Sequence, residues 1–243
     1  MTVLEIEVYL NEVLEPWKFE DFCFNGVQIE GNRDIKKVAL GVSFNEAFIE
    51  KAVDWGADLL LVHHGIFGKD FFKLRGYFKR RVEKVLLNGL SLMGYHLPLD
   101  AHPEYGNNAS IIKALGLKLE EPFDIGYIAH YNSPLNTNAF LDRLRNVLNK
   151  QKLQTYIYNP VVQRVCVISG GGAALLKQLE GKVDTFITGE VKEHTKELAR
   201  ELKINFINAG HYATETFGVK NLGMLLKERF GLEIEFIDVY NEV

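Results

Sequence analysis

Histidines and carboxylates recur where predicted β-strands end in this chain of 243 residues. Three motifs share that placement: His63-His64, His96-x-x-x-Asp100 and His211-x-x-x-Glu215. Imidazole nitrogens and carboxylate oxygens are the donors that zinc, manganese and ferrous ions accept. The motifs therefore predict a divalent metal site at the ends of the strands.

The donors are numerous enough for more than one ion. They comprise three imidazoles and two carboxylates: His63, His64, His211, Asp100 and Glu215. With Glu215 as a bridge, this set could hold two ions. Two ions about 3.5–4 Å apart make water nucleophilic and stabilise the attacking and leaving groups of a hydrolysis. The alternative is that the five residues are scattered in polar loops without a common centre.

His96 and Glu190 are the candidates for proton transfer. His96 lies four residues before Asp100, and Glu190 follows the predicted strand 184–189. Either group could move a proton or orient a metal ligand, since ligating groups need oriented outer contacts. A structural hydrogen bond is the alternative for His96, and a solvated carboxylate at a helix start is the alternative for Glu190.

Other polar groups are weaker candidates. Ser169-Gly170-Gly171-Gly172 could cradle a phosphate with backbone amides or form a tight turn without a ligand. Lys69 could contact a substrate phosphate or lie exposed, and His102 could assist a ligand or stabilise its turn. The basic segment 72–87 could line a positive opening, although a solvated helix face is more usual. Two histidines outside every motif are predicted to be surface or packing residues: His130 and His194.

The elements that position these groups form a repeated pattern. A strand over 37–42, a helix over 44–55 and a buried strand over 57–62 precede the histidine pair. The same separation of 25 positions joins Val38 to His63 and, in a second set, Val165 to Glu190. Each set continues with a polar helix and a short strand that leads to a glycine and a histidine. We predict two copies of a β-α-β-α-β unit, with chance similarity of two α/β segments as the alternative.

The repeat predicts an α/β fold of two linked α/β lobes, with the metal site in the cleft between them. Right-handed crossovers place the carboxyl ends of parallel strands along one sheet edge, where α/β folds build sites. The least patterned segment, 120–138, is the expected boundary, so the lobes would span residues 1–125 and 126–243.

Two predicted helices have identifiable starts. Thr2 and Glu5 have the spacing of a capping box, which predicts a first helix that ends before Pro16. A helix over 212–226 would place His211 and Glu215 on one face of its first turn. The positive end of the helix dipole would favour the carboxylate there.

Composition excludes several classes of protein. The 28 basic and 32 acidic side chains give a net charge of −4, which provides no domain-wide positive field for nucleic acid. The longest aliphatic runs are too short for a bilayer, and the N-terminus lacks the pattern of a signal peptide. Cys23 and Cys166 lie among apolar neighbours, as buried thiols do in a reducing compartment. We expect a cytoplasmic protein that does not bind membranes. Nucleic-acid handling, which would need a local basic patch, is a further alternative that the net acidity disfavours.

Five motifs occur along the chain in the following order: Phe24-Asn25-Gly26-Val27-Gln28-Ile29-Glu30-Gly31, Val62-His63-His64-Gly65-Ile66-Phe67, His96-Leu97-Pro98-Leu99-Asp100-Ala101-His102-Pro103 with Gly106-Asn107-Asn108, Thr188-Gly189-Glu190, and Gly210-His211-Tyr212-Ala213-Thr214-Glu215. Together they resemble the NIF-three-like dinuclear metal centre family, also filed as GTP cyclohydrolase I type 2 homologs. The resemblance covers almost the whole chain, and five motifs in the same order make it specific.

The resemblance implies a division of the ligands between two divalent ions per subunit. His64 and Asp100 would bind one ion, His63 and His211 the other, and Glu215 would bridge them. Zinc, iron, manganese and nickel all accept such donors, so the metal stays open. The family fold is a pair of linked α/β lobes, and its members commonly form ring-shaped homohexamers. This chain would be a short form without the middle domain of longer members.

The implied activity is a divalent-metal-dependent hydrolase that acts on a small nucleotide-like or phosphorylated substrate. The filing name of the family implies ring opening of GTP, although no residue of the chain selects guanine. The alternative is a non-enzymatic metal-binding or interaction protein, since the family was named for binding to a transcription regulator. Both cysteines lie outside the motifs, which favours hydrolysis because structural metal sites are usually closed and thiolate-rich.

Overall fold

The computed structural model describes residues 1–68 and 74–243. The α-helices are α1 (Val3–Leu14), α2 (Glu46–Trp55), α3 (Gly76–Leu87), α4 (Leu97–Ala101), α5 (Asn107–Leu115), α6 (Thr137–Leu148), α7 (Thr195–Leu202), α8 (His211–Thr214) and α9 (Thr216–Phe230). The strands are β1 (Gly26–Ile29), β2 (Lys37–Ser43), β3 (Leu59–His64), β4 (Ser91–Gly94), β5 (Lys118–Phe123), β6 (Gly126–Asn136), β7 (Gln154–Tyr156), β8 (Val161–Ile168), β9 (Thr185–Thr188), β10 (Asn205–Asn208) and β11 (Glu233–Phe236). Within the described ranges, no helix is both long and apolar enough to cross a membrane.

The chain forms two compact units, which differ from the lobes expected from the sequence. The first unit comprises Met1–Leu99 with Gly218–Tyr240, and the second Asp100–Phe217 with Asn241–Val243. The division therefore precedes Asp100, whereas the sequence pattern placed it near residue 125. Most of the unpatterned segment belongs to β5 and β6, which pair as an antiparallel hairpin in the second unit. Because β5 is exposed along almost its whole length, its sequence lacks the apolar alternation of a buried strand.

The first unit contains a five-stranded sheet in the order β1-β4-β3-β2-β11. Its strands are parallel except for β1, which pairs antiparallel with β4. Leu40 and Leu61 pack into a core with α1 and α9 on one face, while Ala39 and Leu60 pack with α2 and α3 on the other. Burial on both faces explains the unbroken apolar run before His63.

The second unit contains a six-stranded sheet in the order β5-β6-β8-β9-β10-β7. The central strands β8, β9 and β10 are parallel, and their neighbours are antiparallel. One face packs against α5 and α6 through residues such as Ile112 and Phe140. The other face packs against α7 and a 3₁₀ helix, Ala173–Leu179, through Leu176 and Ala199. This sheet is also covered on both faces.

The predicted repeat is confirmed, with one difference. The first copy is β2-α2-β3-α3-β4, and the second runs through β8, Ala173–Leu179, β9, α7 and β10. In each copy the three strands are parallel neighbours. The first helical element of the second copy is a 3₁₀ helix rather than an α-helix. Gly172 is the N-cap residue of this helix, which has no side-chain cap hydrogen bond.

The capping box of the first helix is confirmed, whereas the predicted helix over 212–226 is wrong as a single element. Thr2 and Glu5 cap each other, and α1 ends before Pro16. The helix is interrupted at Glu215, which lies between α8 and α9. Thr214 Oγ1 hydrogen-bonds back to the carbonyl oxygens of Gly210 and His211, both at 2.9 Å. Such side-chain bonds compete with a continuous helix, so Glu215 lies after α8 rather than in a first helical turn.

Candidate functional site

Three imidazoles of the first unit form a cluster at the carboxyl ends of β3 and β4. His63 and His64 end β3, and His96 follows β4 by two positions. Because β3 and β4 are parallel neighbours, both strands deliver these residues to the same sheet edge. One ring nitrogen of each histidine lies within 4.8 Å of the other two, close enough for a shared metal ion. The structure thus adds His96 to the predicted histidine pair.

Each ring of this imidazole cluster has an oxygen atom at its Nδ1. The contacts are His63 Nδ1 to the Tyr95 carbonyl oxygen at 2.8 Å, His64 Nδ1 to Ser43 Oγ at 3.1 Å, and His96 Nδ1 to Asp21 Oδ1 at 2.8 Å. Metal-binding histidines usually have such a partner, which fixes the ring orientation and the tautomer. The contacts therefore favour Nε2 as the ligating nitrogen of His63 and His64 and as the reactive nitrogen of His96.

Asp21 is a member of this site that sequence reasoning missed. Its side chain is 2% exposed and accepts hydrogen bonds from His96, from the Cys23 and Leu97 amides, and from the Asn25 side chain. Burial acts to raise the pKa of Asp21, but the hydrogen bonds from His96, Cys23 and Asn25 outweigh it and lower the pKa to about 2. Asp21 is therefore a carboxylate at neutral pH, positioned to hold the proton on His96 Nδ1.

The N-terminal motif positions the backbone next to the imidazole cluster. Asn25 Oδ1 accepts the His96 amide N–H at 2.8 Å. Gln28 binds both polar groups of Ile66, because Oε1 accepts its N–H at 2.7 Å and Nε2 donates to its carbonyl oxygen at 3.1 Å. A Cβ at Gly65 would lie 2.2 Å from Gln28 Oε1, so this contact requires glycine. The motif therefore fixes the chain just after His63-His64.

In the second unit, Asp100 is buried within a network of hydrogen bonds. Its Oδ1 accepts from Asn107 Nδ2 at 2.9 Å and from Ser169 Oγ at 2.7 Å. Asn108 Nδ2 donates to the Asp100 carbonyl oxygen at 3.1 Å, and Asn108 Oδ1 accepts the Ser169 N–H at 2.6 Å. The asparagines of the central motif thus orient a carboxylate, as a metal ligand requires. In the sequence, the adjacent asparagines of the motif Gly106-Asn107-Asn108 are the signal for residues that orient Asp100.

His211 lies between two carboxylates of the second unit. Its Nδ1 is 2.8 Å from Glu190 Oε1, and its Nε2 is 3.0 Å from Glu215 Oε1. Burial acts to lower the pKa of His211, but Glu215 and Glu190 together raise it to about 9. A divalent cation would displace the proton that this raised pKa retains. The structure thus brings together three residues from two predicted motifs.

Close packing explains the glycine run at the end of β8. Gly170 has a φ of +62°, and a Cβ there would lie 2.4 Å from Glu215 Oε1 and 3.1 Å from His211 Nε2. Side chains accept the N–H groups of three residues in the run: Ser169 to Asn108 at 2.6 Å, Gly170 to Thr214 at 3.1 Å and Gly172 to Thr188 at 2.9 Å. These amides are committed within the protein, so the tight turn, and not a phosphate cradle, accounts for the run.

The chemistry of the donors fits divalent transition metals. Both units contain nitrogen or oxygen donors whose orientation is fixed by neighbouring polar groups. Burial raises the pKa of the Cys23 thiol to about 11 and raises that of Cys166 as well. Protonated thiols are poor metal ligands. Imidazole and carboxylate donors without thiolates are typical of catalytic rather than structural zinc sites.

Three other histidines lie outside the groups of possible metal ligands found among the described residues. His102 Nδ1 accepts the N–H groups of Glu104 and Tyr105 at 3.1 Å and 3.0 Å, which stabilises the turn before α5. His130 lies on β6, 3.4 Å from Glu120. His194 precedes α7 as its N-cap residue. His102 therefore stabilises its turn, and His130 and His194 are surface or packing residues, as the sequence predicted.

The basic segment before β4 forms α3 from Gly76 onward. Arg80 and Lys84 lie 3.3 Å and 3.6 Å from Glu46 on α2, as expected for a solvated helix face. Lys69, the candidate for a phosphate contact, and the first residues of the predicted segment, 72–73, lie outside the described residues.

Known proteins resemble this chain over its full length. The profile of the Duf34/NIF3 (NGG1p interacting factor 3) family matches residues 1–242. The GTP cyclohydrolase 1 type 2 homolog of Yersinia pestis is 42% identical over 99% of each chain. Among solved structures, protein ybgI, described as of unknown function, has a TM-score of 0.94 at 34% identity. TTHA1606 from Thermus thermophilus has a TM-score of 0.93 at 36% identity, and both structural matches cover 100% of each chain. This chain belongs to the Duf34/NIF3 family.

Proposed function

We propose that this chain is a divalent-metal-dependent hydrolase with a dinuclear centre. Its substrate would be small and nucleotide-like or phosphorylated. GTP is the first candidate, because the Yersinia pestis relative is named a GTP cyclohydrolase 1 type 2 homolog. The observation that carries the proposal is the imidazole cluster, in which each ring has an oxygen at Nδ1 and a nitrogen within 4.8 Å of the other two rings.

The proposed metal ligands are His63, His64, Asp100, His211 and Glu215. His64 and Asp100 would bind one ion, His63 and His211 the other, and Glu215 would bridge them. The burial of Asp100 and Glu215, each 2% exposed, supports this role. Buried carboxylates are rare unless a cation or hydrogen bonds stabilise their charge. Zinc, iron, manganese and nickel are all compatible with these donors.

The residues around the ligands have separate roles in this proposal. When bound, two divalent ions would supply the charge that makes water nucleophilic near neutral pH and polarises the bond to be cleaved. Asp21 holds the Nδ1 proton of His96, which leaves Nε2 as the basic nitrogen of that ring. His96 Nε2 can then accept a proton and return it to a leaving group. Glu190 holds His211 Nδ1 and acts by orienting that ligand.

A non-enzymatic metal-binding or interaction role is the second candidate. The description of the family as an NGG1p interacting factor favours it, because that name refers to a protein partner. A protein of this kind would bind metal in a fixed ratio and turn over no small molecule. The two roles therefore differ in one measurable property, which is turnover by the metal-loaded protein.

The test combines elemental analysis of the purified protein with a turnover screen. Each metal is restored in turn, and the substrates are GTP, other nucleotides, phosphoesters and cyclic amides. We expect a pair of ions per chain and turnover that a chelator stops. His64→Ala and Glu215→Gln should lose both metal and turnover, whereas the matched control His194→Ala should keep both. Turnover that survives chelation and both site variants would eliminate the metal mechanism, and metal without turnover would favour the second role.

The proposal extends to a cytoplasmic homohexamer with the ring shape implied by the family resemblance. The buried free thiols Cys23 and Cys166 agree with a reducing compartment. Native mass spectrometry tests the assembly, with an expected mass of six times the 27.7 kDa chain. A stable monomer at micromolar concentration would contradict it.

A further inference from the structure

Aromatic side chains border the imidazole cluster on two short segments, 22–24 and 66–68. The segments pair with each other, because Cys23 and Phe67 form an antiparallel bridge and the Gly68 N–H donates to the Phe22 carbonyl oxygen at 3.0 Å. This pairing stacks the rings of Phe22 and Phe67, whose centroids are 5.3 Å apart at an interplanar angle of 30°. Backbone pairing between the two segments thus fixes the positions of Phe22 and Phe67.

The same two rings contact the imidazoles. Phe22 and Phe67 each meet His96 edge to face, with centroids 5.2 Å and 5.5 Å away. Phe67 also lies 6.1 Å from the ring of His64, a proposed metal ligand. The aromatic pair of Phe22 and Phe67 therefore directly borders the imidazole cluster.

Two phenylalanines of the segment 22–24 are unusually exposed for side chains so close to the imidazole cluster. Phe22 is 61% exposed, and Phe24 on the same segment is 58% exposed. Single exposed phenylalanines are common on protein surfaces and need no explanation. Here, however, the exposed ring is stacked, held by paired backbone and placed beside titratable groups. A rigid aromatic face of this kind binds flat ring systems with little loss of side-chain entropy.

We infer that Phe22, backed by Phe67, is a stacking platform for the planar heterocyclic base of the substrate. The inference rests on the proposed function and narrows its substrate class from small nucleotide-like or phosphorylated molecules to those that carry a base. The base adds a layer on the open face of Phe22. Specificity for a flat ring then comes from the first unit alone.

Calorimetric titration of three probes separates base recognition from phosphate recognition. The probes are guanosine, GTP and inorganic tripolyphosphate, each titrated into metal-free and zinc-loaded protein. Phe22→Leu keeps apolar surface but removes the aromatic face. Stacking of one base on one aromatic ring is worth roughly 1–3 kcal/mol, so the affinity for guanosine should fall about fivefold or more. The affinity for tripolyphosphate should not change.

Two further variants control for folding and for general loss of an aromatic ring. Phe22→Tyr retains a ring and should keep the affinity for guanosine, with an unchanged circular dichroism spectrum. Phe230→Leu removes a ring from another aromatic pair, formed with Tyr9 at a centroid distance of 5.3 Å. Phe230 ends α9 just before the start of β11, so it lies at the opposite edge of the sheet. This variant should bind all three probes as the unchanged protein does.

The results overturn the inference in three ways. Guanosine affinity that is equal in the unchanged protein and in Phe22→Leu removes the platform, as does the absence of any guanosine binding by the unchanged protein. A smaller native mass for Phe22→Leu, with unaltered guanosine affinity, assigns the ring to a contact between copies of the chain. Failure of the hydrolase proposal is distinguishable, because it is judged by turnover of the zinc-loaded protein and not by guanosine binding to the metal-free protein.

Discussion

The two copies of the β-α-β-α-β unit hold a histidine after their third strand in the same way but with different partners. In the first copy, Asp21 from the N-terminal segment contacts His96 Nδ1. In the second copy, Glu190 contacts His211 Nδ1 and itself occupies the position that corresponds to His63 in the repeat. The scaffold thus determines where the imidazoles lie, while the carboxylate that orients each one comes from a different part of the sequence.

The partners also differ in burial. The Asp21 side chain is 2% exposed, whereas the Glu190 side chain is 42% exposed. Water screens an exposed pair, and its contribution to the free energy of unfolding is small. A buried carboxylate with several donors contributes much more. We therefore expect Asp21 to matter for both stability and site geometry, and Glu190 mainly for the geometry of the site.

The largest expected effect on stability comes from a substitution at Gly170, just after the first strand of the second copy. Ser43 holds the corresponding position in the first copy. Ser43 has room for a side chain that reaches His64, whereas a Cβ at Gly170 would lie 2.4 Å from Glu215 Oε1. Gly170→Ala should lower the free energy of unfolding by about 3 kcal/mol, from its positive φ and from overpacking. It should also weaken zinc binding at least about tenfold. Urea denaturation and zinc titration measure the two effects.

Gly181→Ala is the matched control for this substitution. Gly181 has a φ of +71°, and a Cβ at this position would meet nothing within 4 Å, so only the backbone conformation is penalised. Its expected cost is about 1 kcal/mol, with unchanged zinc affinity. Equal costs for the two variants would show that the close approach to Glu215 is unimportant.

The second prediction concerns Asp21→Asn, which should lower the free energy of unfolding by about 2 kcal/mol at pH 7. The pKa of Asp21 is about 2 in the folded chain against an ordinary value of 3.8. Its stabilisation is therefore fully present above pH 3.8 and is lost as the pH falls toward 2. Urea denaturation at pH 7 and at pH 3 should show the difference between variant and unchanged protein shrinking.

Asp142→Asn is the control for removal of a carboxylate. Asp142 is 73% exposed and pairs with Arg145 on α6, so the change should stay within about 0.5 kcal/mol at either pH. A loss of stability in Asp21→Asn that does not depend on pH would mean that the charge of Asp21 is not its source.

The smallest expected change in stability is that of Glu190→Gln, at less than about 1 kcal/mol. Glutamine can still accept the His211 hydrogen bond but carries no charge, so zinc affinity should fall by roughly tenfold. Zinc titration and urea denaturation of the same sample separate the two quantities. A loss of stability as large as that of Asp21→Asn would break the distinction between the two copies.

The fold was largely predictable from local patterns. The apolar run before His63 and the equal spacings in the two copies indicated parallel strands, since burial on both faces determines residue type along a strand. The cap at Thr2 was also predictable, because its partner Glu5 is only three residues away. Local hydrogen bonds and burial therefore leave readable signals in one sequence.

Contacts between distant segments were not predictable. Asp21 is 75 positions from His96, and no spacing marks the two as partners. The break at Glu215 depends on a hydroxyl bond of Thr214 that competes with the helix, although the residue types in this segment are compatible with one helix. Both features arise from tertiary or side-chain contacts, which a single sequence does not display.

The crowding around Gly170 has a practical consequence for directed evolution. In a library aimed at new substrates, most variants at Gly170 would be inactive, because any side chain there collides with Glu215 or His211. Phe22 and Phe24 are mostly exposed, so side chains of several sizes fit at these positions. Diversity placed on the aromatic segment can change what the protein accepts while every candidate metal ligand is retained.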